Sequence, residues 1–502
     1  MGFTTRNSPN LGNTTRWLLA MAMYLILSPT TQAATSVSQH GITWFFDKDY
    51  EVGQFVNGDY YVVGPVNISR ITPDPQSGRN GTQLNPFVGG SDGNPRFPYQ
   101  PFDSRAYYYD ESYLFRSGTV APGTSIVTAI SKTGNESQNW AGWSLSSNAF
   151  LWSAAVLTVL DSHPIAPSFR PPYSGSYKPL YTLEQVNWAV LANLGLSGIE
   201  TPDVDYFLRG LERPWISTHG RDWTARTLSA ENNQHDYHEE IGFFLSEASL
   251  LLLTDIDSVR AGSKEQLAIR FIQNAIDYYA TVRVSGTETS AVWAWPLVLG
   301  GLLLDEPEIY NFWKNNPDKR TQRGHEKLYY IGDRSTSSSS IVPNGQTWVG
   351  WRHPESRKYP AFAKQTGEEY EHLHPSEWQC FEPHCKAEVY RAQHDIYPLV
   401  GMTLASILVD RSDARDVNSM LAHDPIRDYV DRWMDEGFMD KQYPTTNRTF
   451  FEEMQYHQPF TIYKRNYGSG GSGFIDSMWD SYRNSDDAGA RDGGPVPSLE
   501  VN

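Results

Sequence analysis

Between about Ile42 and Ile130 apolar and polar positions alternate over short runs. Tyr60-Tyr61-Val62-Val63 and Ser125-Ile126-Val127-Thr128 are dense in β-branched and aromatic residues, the composition of strands. Gly, Pro, Asn and Asp punctuate them, as at Asn57-Gly58-Asp59, where a turn is expected. The stretch from Pro73 to Pro101 reads as a long loop region. Residues 34–140 are therefore expected to form a small β-rich N-terminal region.

From about Trp143 the period lengthens to that of helices. Ala149 to Leu160 is strongly apolar, and Thr182 with Gln185 has the form of a capping box. Thr201-Pro202 pairs a cap with a first-turn proline, and Ser263 with Gln266 repeats the capping box. After Ser263, residues Leu267, Phe271, Ala275, Ile276 and Tyr279 fall on one helical face. Further helices are expected at 236–254, 292–304, 387–409 and 425–436. Repeated helices with short connections suggest stacked antiparallel hairpins. The expected fold is mainly α, an (α/α) toroid at 141–467 that carries the catalytic site, followed by a partly disordered Gly-, Ser- and Asp-rich tail at 468–502.

Composition narrows the function. The formal net charge of −17 opposes nucleic-acid binding, which needs a basic face. The same charge repels an acidic polysaccharide at long range, so such a substrate requires a local cationic pocket. Aromatic residues make up 13% of the chain, with 16 Trp and 29 Tyr. They read either as core and surface filler or as platforms that stack on sugar rings. Arg6 and Arg16 precede the apolar stretch Trp17 to Leu27 and the small-residue site Thr31-Gln32-Ala33. That order suggests a signal peptide over 1–33, cleaved after Ala33, and a secreted or periplasmic protein with no membrane span in its mature form. An uncleaved anchor is the competing reading. Cys380 and Cys385 suit either one small-loop disulfide or two free thiols.

Three polar segments are candidates for chemistry. Glu231 to Glu240 is a dense polar run containing Asn232, Asn233, His235, Tyr237 and His238, and it leads into the apolar helix that follows. The backbone N–H groups of the first turn and the helix dipole there suit a substrate carboxylate. Arg323 to Tyr330 mixes cations with the phenols Tyr329 and Tyr330, and a phenol beside a cation can accept and return a proton. His372-Leu373-His374, followed by Arg391, resembles part of a metal site, but no third ligand has a diagnostic spacing. The sequence calls for no metal and no cofactor.

Together with Trp44 to Lys48, Gly53 to Tyr60, Leu302 to Asp305, Pro375 to Trp378 and Tyr429 to Met434, these segments resemble helical-toroid polysaccharide lyases. These enzymes act on uronic-acid polymers, and the nearest group is the glucuronan and alginate lyases of polysaccharide lyase family 38. The resemblance implies β-elimination: one group neutralises the C5 carboxylate, a base takes the C5 proton and an acid protonates the leaving O4. It places Asn233 and His235 on the carboxylate and His238 or Tyr330 as base or acid. Asn232, Tyr237, Tyr329, Arg283 and Arg391 become substrate contacts, the last two as carboxylate clamps. Gln234 interrupts the Asn-Asn-His run of similar lyases, and Val292-Trp293-Ala294-Trp295 stands where Gly-Arg-Lys is expected. The cationic role is then expected at Arg283 or Arg391. Two other readings compete, a glycoside hydrolase using carboxylates among Asp236, Glu239 and Glu377, and a non-catalytic carbohydrate-binding protein.

Overall fold

The computed structural model describes residues 32–75, 78–86, 103–104, 111–131, 151–216, 238–285, 294–316, 328–331, 348–351, 397–413, 415–421, 426–427, 430 and 471–485. Its first unit is an eight-stranded sheet of β1 (Gln32–Gln39), β2 (Ile42–Gln54), β3 (Tyr60–Val63), β4 (Val66–Thr72), β5 (Gly81–Leu84), β6 (Gly118–Val120), β7 (Thr124–Ser131) and β8 (Leu151–Leu160). The order is β5-β7-β8-β3-β2-β4-β6, with β1 paired to β2. All pairings are antiparallel except β3 with β8. A two-residue turn at His40-Gly41, both with positive φ, joins β1 to β2. Along β2 the alternation works as expected: Ile42, Trp44 and Phe46 are buried while Thr43 and Phe45 are only partly covered.

The strand β8 corrects the sequence reading, which placed Ala149 to Leu160 among the helices. It lies between β7 and β3 and is covered on both faces. Ala155, Leu157 and Val159 join the core around Trp44, while Leu151, Ala154 and Val156 pack with Tyr173 and Ile216. A strand buried on both sides loses its alternation and reads as one apolar run.

The helical part contains α1 (Val204–Glu212), α2 (His238–Leu252), α3 (Ser263–Ser285), α4 (Ala294–Leu303), α5 (Pro307–Tyr310), α6 (Phe312–Asn315), α7 (Tyr397–Ser412), α8 (Val417–Leu421) and α9 (Gly471–Tyr482). They share one large core that runs from Phe169 to Trp479. Two glycines set close approaches: a Cβ at Gly401 of α7 would lie 2.7 Å from Ser246 of α2, and one at Gly300 of α4 would lie 2.2 Å from the Ala275 Cβ of α3. A β-hairpin of β9 (Leu328–Ile331) and β10 (Trp348–Trp351) is paired separately.

The expected mainly α fold, an (α/α) toroid with a small β-rich N-terminal region, is overturned. A large strand-rich half-barrel sheet stands beside the helices, and its β7 and β8 are buried against residues of the helical side. Helix-helix contact is thus not the sole means of burying the apolar surface, which is what a closed ring of hairpins requires. The Gly- and Ser-rich tail also contains α9, whose Phe474, Ile475, Met478 and Trp479 are buried in the helical core. No helix among the described residues is long and apolar enough to cross a membrane.

Candidate functional site

After β8 the chain makes a loop that closes on itself at the seam between sheet and helices. The Phe169 N–H donates to the Tyr181 carbonyl and the Leu183 N–H to the Pro167 carbonyl, each at 2.8 Å. Thr182 and Gln185 then cap a short turn as their spacing predicts, the Thr182 N–H donating to Gln185 Oε1 at 2.7 Å. Between the stitched ends the loop from Arg170 to Leu180 is compact and held by its own side chains, in the manner of Ω-loops.

At its root Arg170 is 1% exposed. Its Nε donates to Asp59 Oδ2 at 2.6 Å, its Nη1 and Nη2 fork onto Asp277 at 3.0 and 2.5 Å, and Nη1 also donates to the Pro171 carbonyl at 2.9 Å. Asp59 lies in the turn after β2 and Asp277 on α3, so one guanidinium ties the sheet to the helices. Burial works against the charge on Arg170, but the two carboxylates outweigh it and raise its pKa. Burial likewise pushes Asp277 up, and Arg170 and the Tyr173 N–H pull it down. The ionised carboxylate is the form this forked geometry satisfies. Asp59 is further held by Gln39 Nε2 at 3.0 Å and Asn57 Nδ2 at 2.8 Å.

On one flank the loop presents Lys178 to the sheet. Its Nζ donates to the Ser125 Oγ of β7 at 3.0 Å and to the Pro172 carbonyl. No carboxylate among the described residues lies within ion-pair distance of it. Burial, reinforced by the nearby Arg170 charge, lowers the amine to about 7.

On the other flank Tyr177 lies under Arg283, the guanidinium carbon 3.7 Å from the ring centroid. Arg283 is 5.7 Å from the Tyr279 ring, one helical turn earlier on α3. The Tyr177 and Tyr279 rings meet edge to face at 6.2 Å. The Tyr177 and Tyr181 hydroxyls are 3.5 Å apart, and Tyr279 Oη donates to Glu308 Oε2 at 3.4 Å. Burial first, then the Glu308 charge, pushes Tyr279 up to about 12. Burial and the hydrogen bond with Tyr177 raise Tyr181 as well. The raised Tyr181 and Tyr279 phenols are protonated at neutral pH. The platform is thus a cation walled by apolar faces with polar edges, which suits a sugar that carries a carboxylate.

Known protein families, curated proteins and solved structures were compared with this chain, and no match was found. Its function is therefore argued from its residues. Of the expected site, Arg283 is the residue whose side chain can be placed. His238 opens α2, and Tyr329 and Tyr330 lie in β9 opposite Gly350 and Val349, but their side chains are outside the described residues. Asn232, Asn233, His235, Tyr237, Arg391, Cys380 and Cys385 lie outside the described residues altogether.

Tyr177, Lys178, Arg170 and Asp277 were missed as site residues. Tyr279-x-x-x-Arg283 did carry a signal, because residues four apart share a helix face. From the sequence Tyr279 reads as part of the core stripe alone. Nothing in the sequence pairs Tyr177 with Arg283 or Lys178 with Ser125, since these contacts cross 106 and 53 positions. A separate void bordered by Leu211, Trp215, Leu245, Phe271 and Tyr278 is interior space between helices with no charged group lining it.

Proposed function

We propose that this protein binds a uronic-acid-containing polysaccharide of the alginate or glucuronan type and cleaves it by β-elimination. The observation that carries the reading is Arg283 stacked on Tyr177 beside Tyr279, in a chain of net charge −17. An acidic molecule that takes an acidic sugar needs its positive charge concentrated at the binding point. Arg283 supplies it, and stacking fixes the guanidinium plane so that its N–H donors match a planar carboxylate. Neutralising that carboxylate acidifies the neighbouring C5 proton, and this interaction strengthens as charge builds in the transition state. His238 or Tyr330 is the proposed base or acid.

The test is incubation with alginate and with glucuronan while following absorbance of the unsaturated uronide. The wild type is expected to generate that chromophore. Arg283→Ala is expected to lower kcat/KM by about a hundredfold, the scale of removing one preorganised donor from a developing anion. Absence of the chromophore with every uronide polymer would remove the lyase reading. Reducing ends without unsaturation would identify a hydrolase, and tight binding without turnover a binding protein.

A further inference from the structure

Tyr177 and Lys178 are neighbours in the chain, yet their side chains serve opposite flanks of the loop after β8. Tyr177 lies under Arg283 of α3, the guanidinium carbon 3.7 Å from its ring centroid. Lys178 reaches the other way, to Ser125 Oγ of β7 at 3.0 Å and back to the Pro172 carbonyl of its own loop. The Ser125 end is rigid: β7 lies between β5 and β8, and the Ser125 N–H and carbonyl both bond to Asn85. The Gly175 N–H adds a tie to the Pro86 carbonyl at 3.1 Å. No helix or strand lies between Arg170 and Leu180, so the place of the Tyr177 ring depends on what holds its neighbour.

We propose that Lys178 is a positioning residue of the Arg283 site: by anchoring the loop to β7 it holds the Tyr177 ring beneath the guanidinium. Its role in binding rests on the proposed function of Arg283 as the point that takes a sugar carboxylate. A ring held in place keeps the guanidinium plane fixed before the ligand arrives, so less freedom is lost on binding. Lys178 touches no substrate in this arrangement, and its effect passes through Tyr177.

The anchor fits an uncharged amine. A neutral amine has two N–H groups and meets two acceptors, Ser125 Oγ and the Pro172 carbonyl. An ammonium has a third N–H, for which the described residues offer no acceptor. Two charged groups face it: Arg170 at the loop root opposes a second cation, and Asp277 of α3 favours one but is already forked onto Arg170. Burial outweighs both and lowers the amine to about 7, whereas a released lysine takes up its proton at 10.5. Release is therefore linked to proton uptake. The anchor is weakest below pH 7, where both forms are charged, and strengthens by about tenfold per pH unit between 7 and 10.5.

The test follows hydrogen exchange of peptides spanning residues 170–181 in the full chain, with rates corrected for the intrinsic effect of pH. Wild-type protection is expected to rise about fiftyfold from pH 7 to 9 and only about twofold from pH 5 to 7. This measurement needs no variant, and Lys178→Met is expected to lose the rise. The contact itself is read without any sugar, from the rate at which phenylglyoxal modifies Arg283 at pH 8, followed by mass spectrometry. Lys178→Met and Tyr177→Ala are each expected to speed it, and the double variant to react no faster than Tyr177→Ala alone, because the lysine acts through the phenol. Calorimetry with a glucuronic acid tetrasaccharide should show the same non-additivity, with affinity about tenfold weaker in Tyr177→Ala. Wild-type protection that is level from pH 7 to 9 would overturn the proposal. So would Arg283 reactivity unchanged by Lys178→Met, or effects that multiply in the double variant. A wild type that meets the exchange and labelling expectations yet binds no uronide would remove the carboxylate role of Arg283 and leave the anchor standing.

Discussion

Arg170→Met tests whether the seam between sheet and helices is held by charge. The substitution keeps an unbranched apolar side chain but deletes four hydrogen bonds, one to Asp59, two to Asp277 and one to Pro171. It leaves two carboxylates at 2% and 7% exposure without their shared cation. Removing one partner of a buried ion pair costs about 3–5 kcal/mol, because the other charge stays buried and uncompensated. Asp59 keeps Gln39 and Asn57, and Asp277 keeps the Tyr173 N–H. These remaining donors place the expected loss near the middle of that range, about 4 kcal/mol. This is a large share of the roughly 5–15 kcal/mol of a folded protein.

The pH dependence separates charge from packing. Burial already pushes Asp277 up and Arg170 opposes it, so the variant's folded-state pKa rises further above its unfolded value. A carboxyl with a raised folded pKa binds more protons folded than unfolded, and its contribution is lost as pH rises. The variant's deficit in urea melts, followed by tryptophan fluorescence, should thus be small near pH 4 and grow toward pH 7. Adding Asp59→Asn and Asp277→Asn should recover most of it. A loss below about 1 kcal/mol would refute the reasoning, because surface pairs fall in that range. A deficit flat in pH would refute it too.

Glu247 of α2 is fully buried, and burial holds its carboxyl well above the usual value, so the wild type loses stability as pH rises above about 4.5. Glu247→Gln should flatten that slope in melts taken from pH 4 to 8, and an unchanged slope would show that the carboxyl stays ionised. Lys178, lowered to about 7, has the opposite sign: the unfolded chain binds its proton between pH 7 and about 10.5, so wild-type stability rises across that window. Lys178→Met should lack this rise, and parallel profiles would contradict the lowered amine. Gly300→Ala should destabilise by about 1–3 kcal/mol through overpacking against Ala275. Helix propensity alone predicts a gain of about 1 kcal/mol, so the sign of the measured change decides between them.

Local grammar was legible wherever one signal dominated. The turn at Asn57-Gly58-Asp59 forms, with Gly58 at φ +90° and the Phe55 N–H donating to the Asp59 carbonyl. The capping box at Thr182 forms, and helices appear near 236–254, 292–304 and 387–409 as α2, α4 and α7. Burial on two faces defeated periodicity at β8, and this misplaced the boundary between strands and helices. With β8 counted among the helices, a ring of hairpins looked sufficient to bury the core. Returned to the sheet, it enlarges a structure that the toroid has no place for. In the candidate site, Arg283 is named from the sequence as a carboxylate clamp, without its four-residue spacing from Tyr279 being used, whereas Tyr177 and Lys178 occupy a loop without periodicity.

What the chain's order of residues determines by itself is short-range: where turns fall, where helices start, how much charge the molecule carries and which side chains have the chemistry to matter. Those properties depend on neighbours within about one helical turn or one hairpin. Only the tertiary structure decided that Arg170 joins Asp59 to Asp277, that Tyr177 lies under Arg283, and that a lysine amine rests on a serine hydroxyl. Each of these contacts is made by chain segments far apart in sequence. Their strength comes from exclusion of water, which no single segment can achieve on its own.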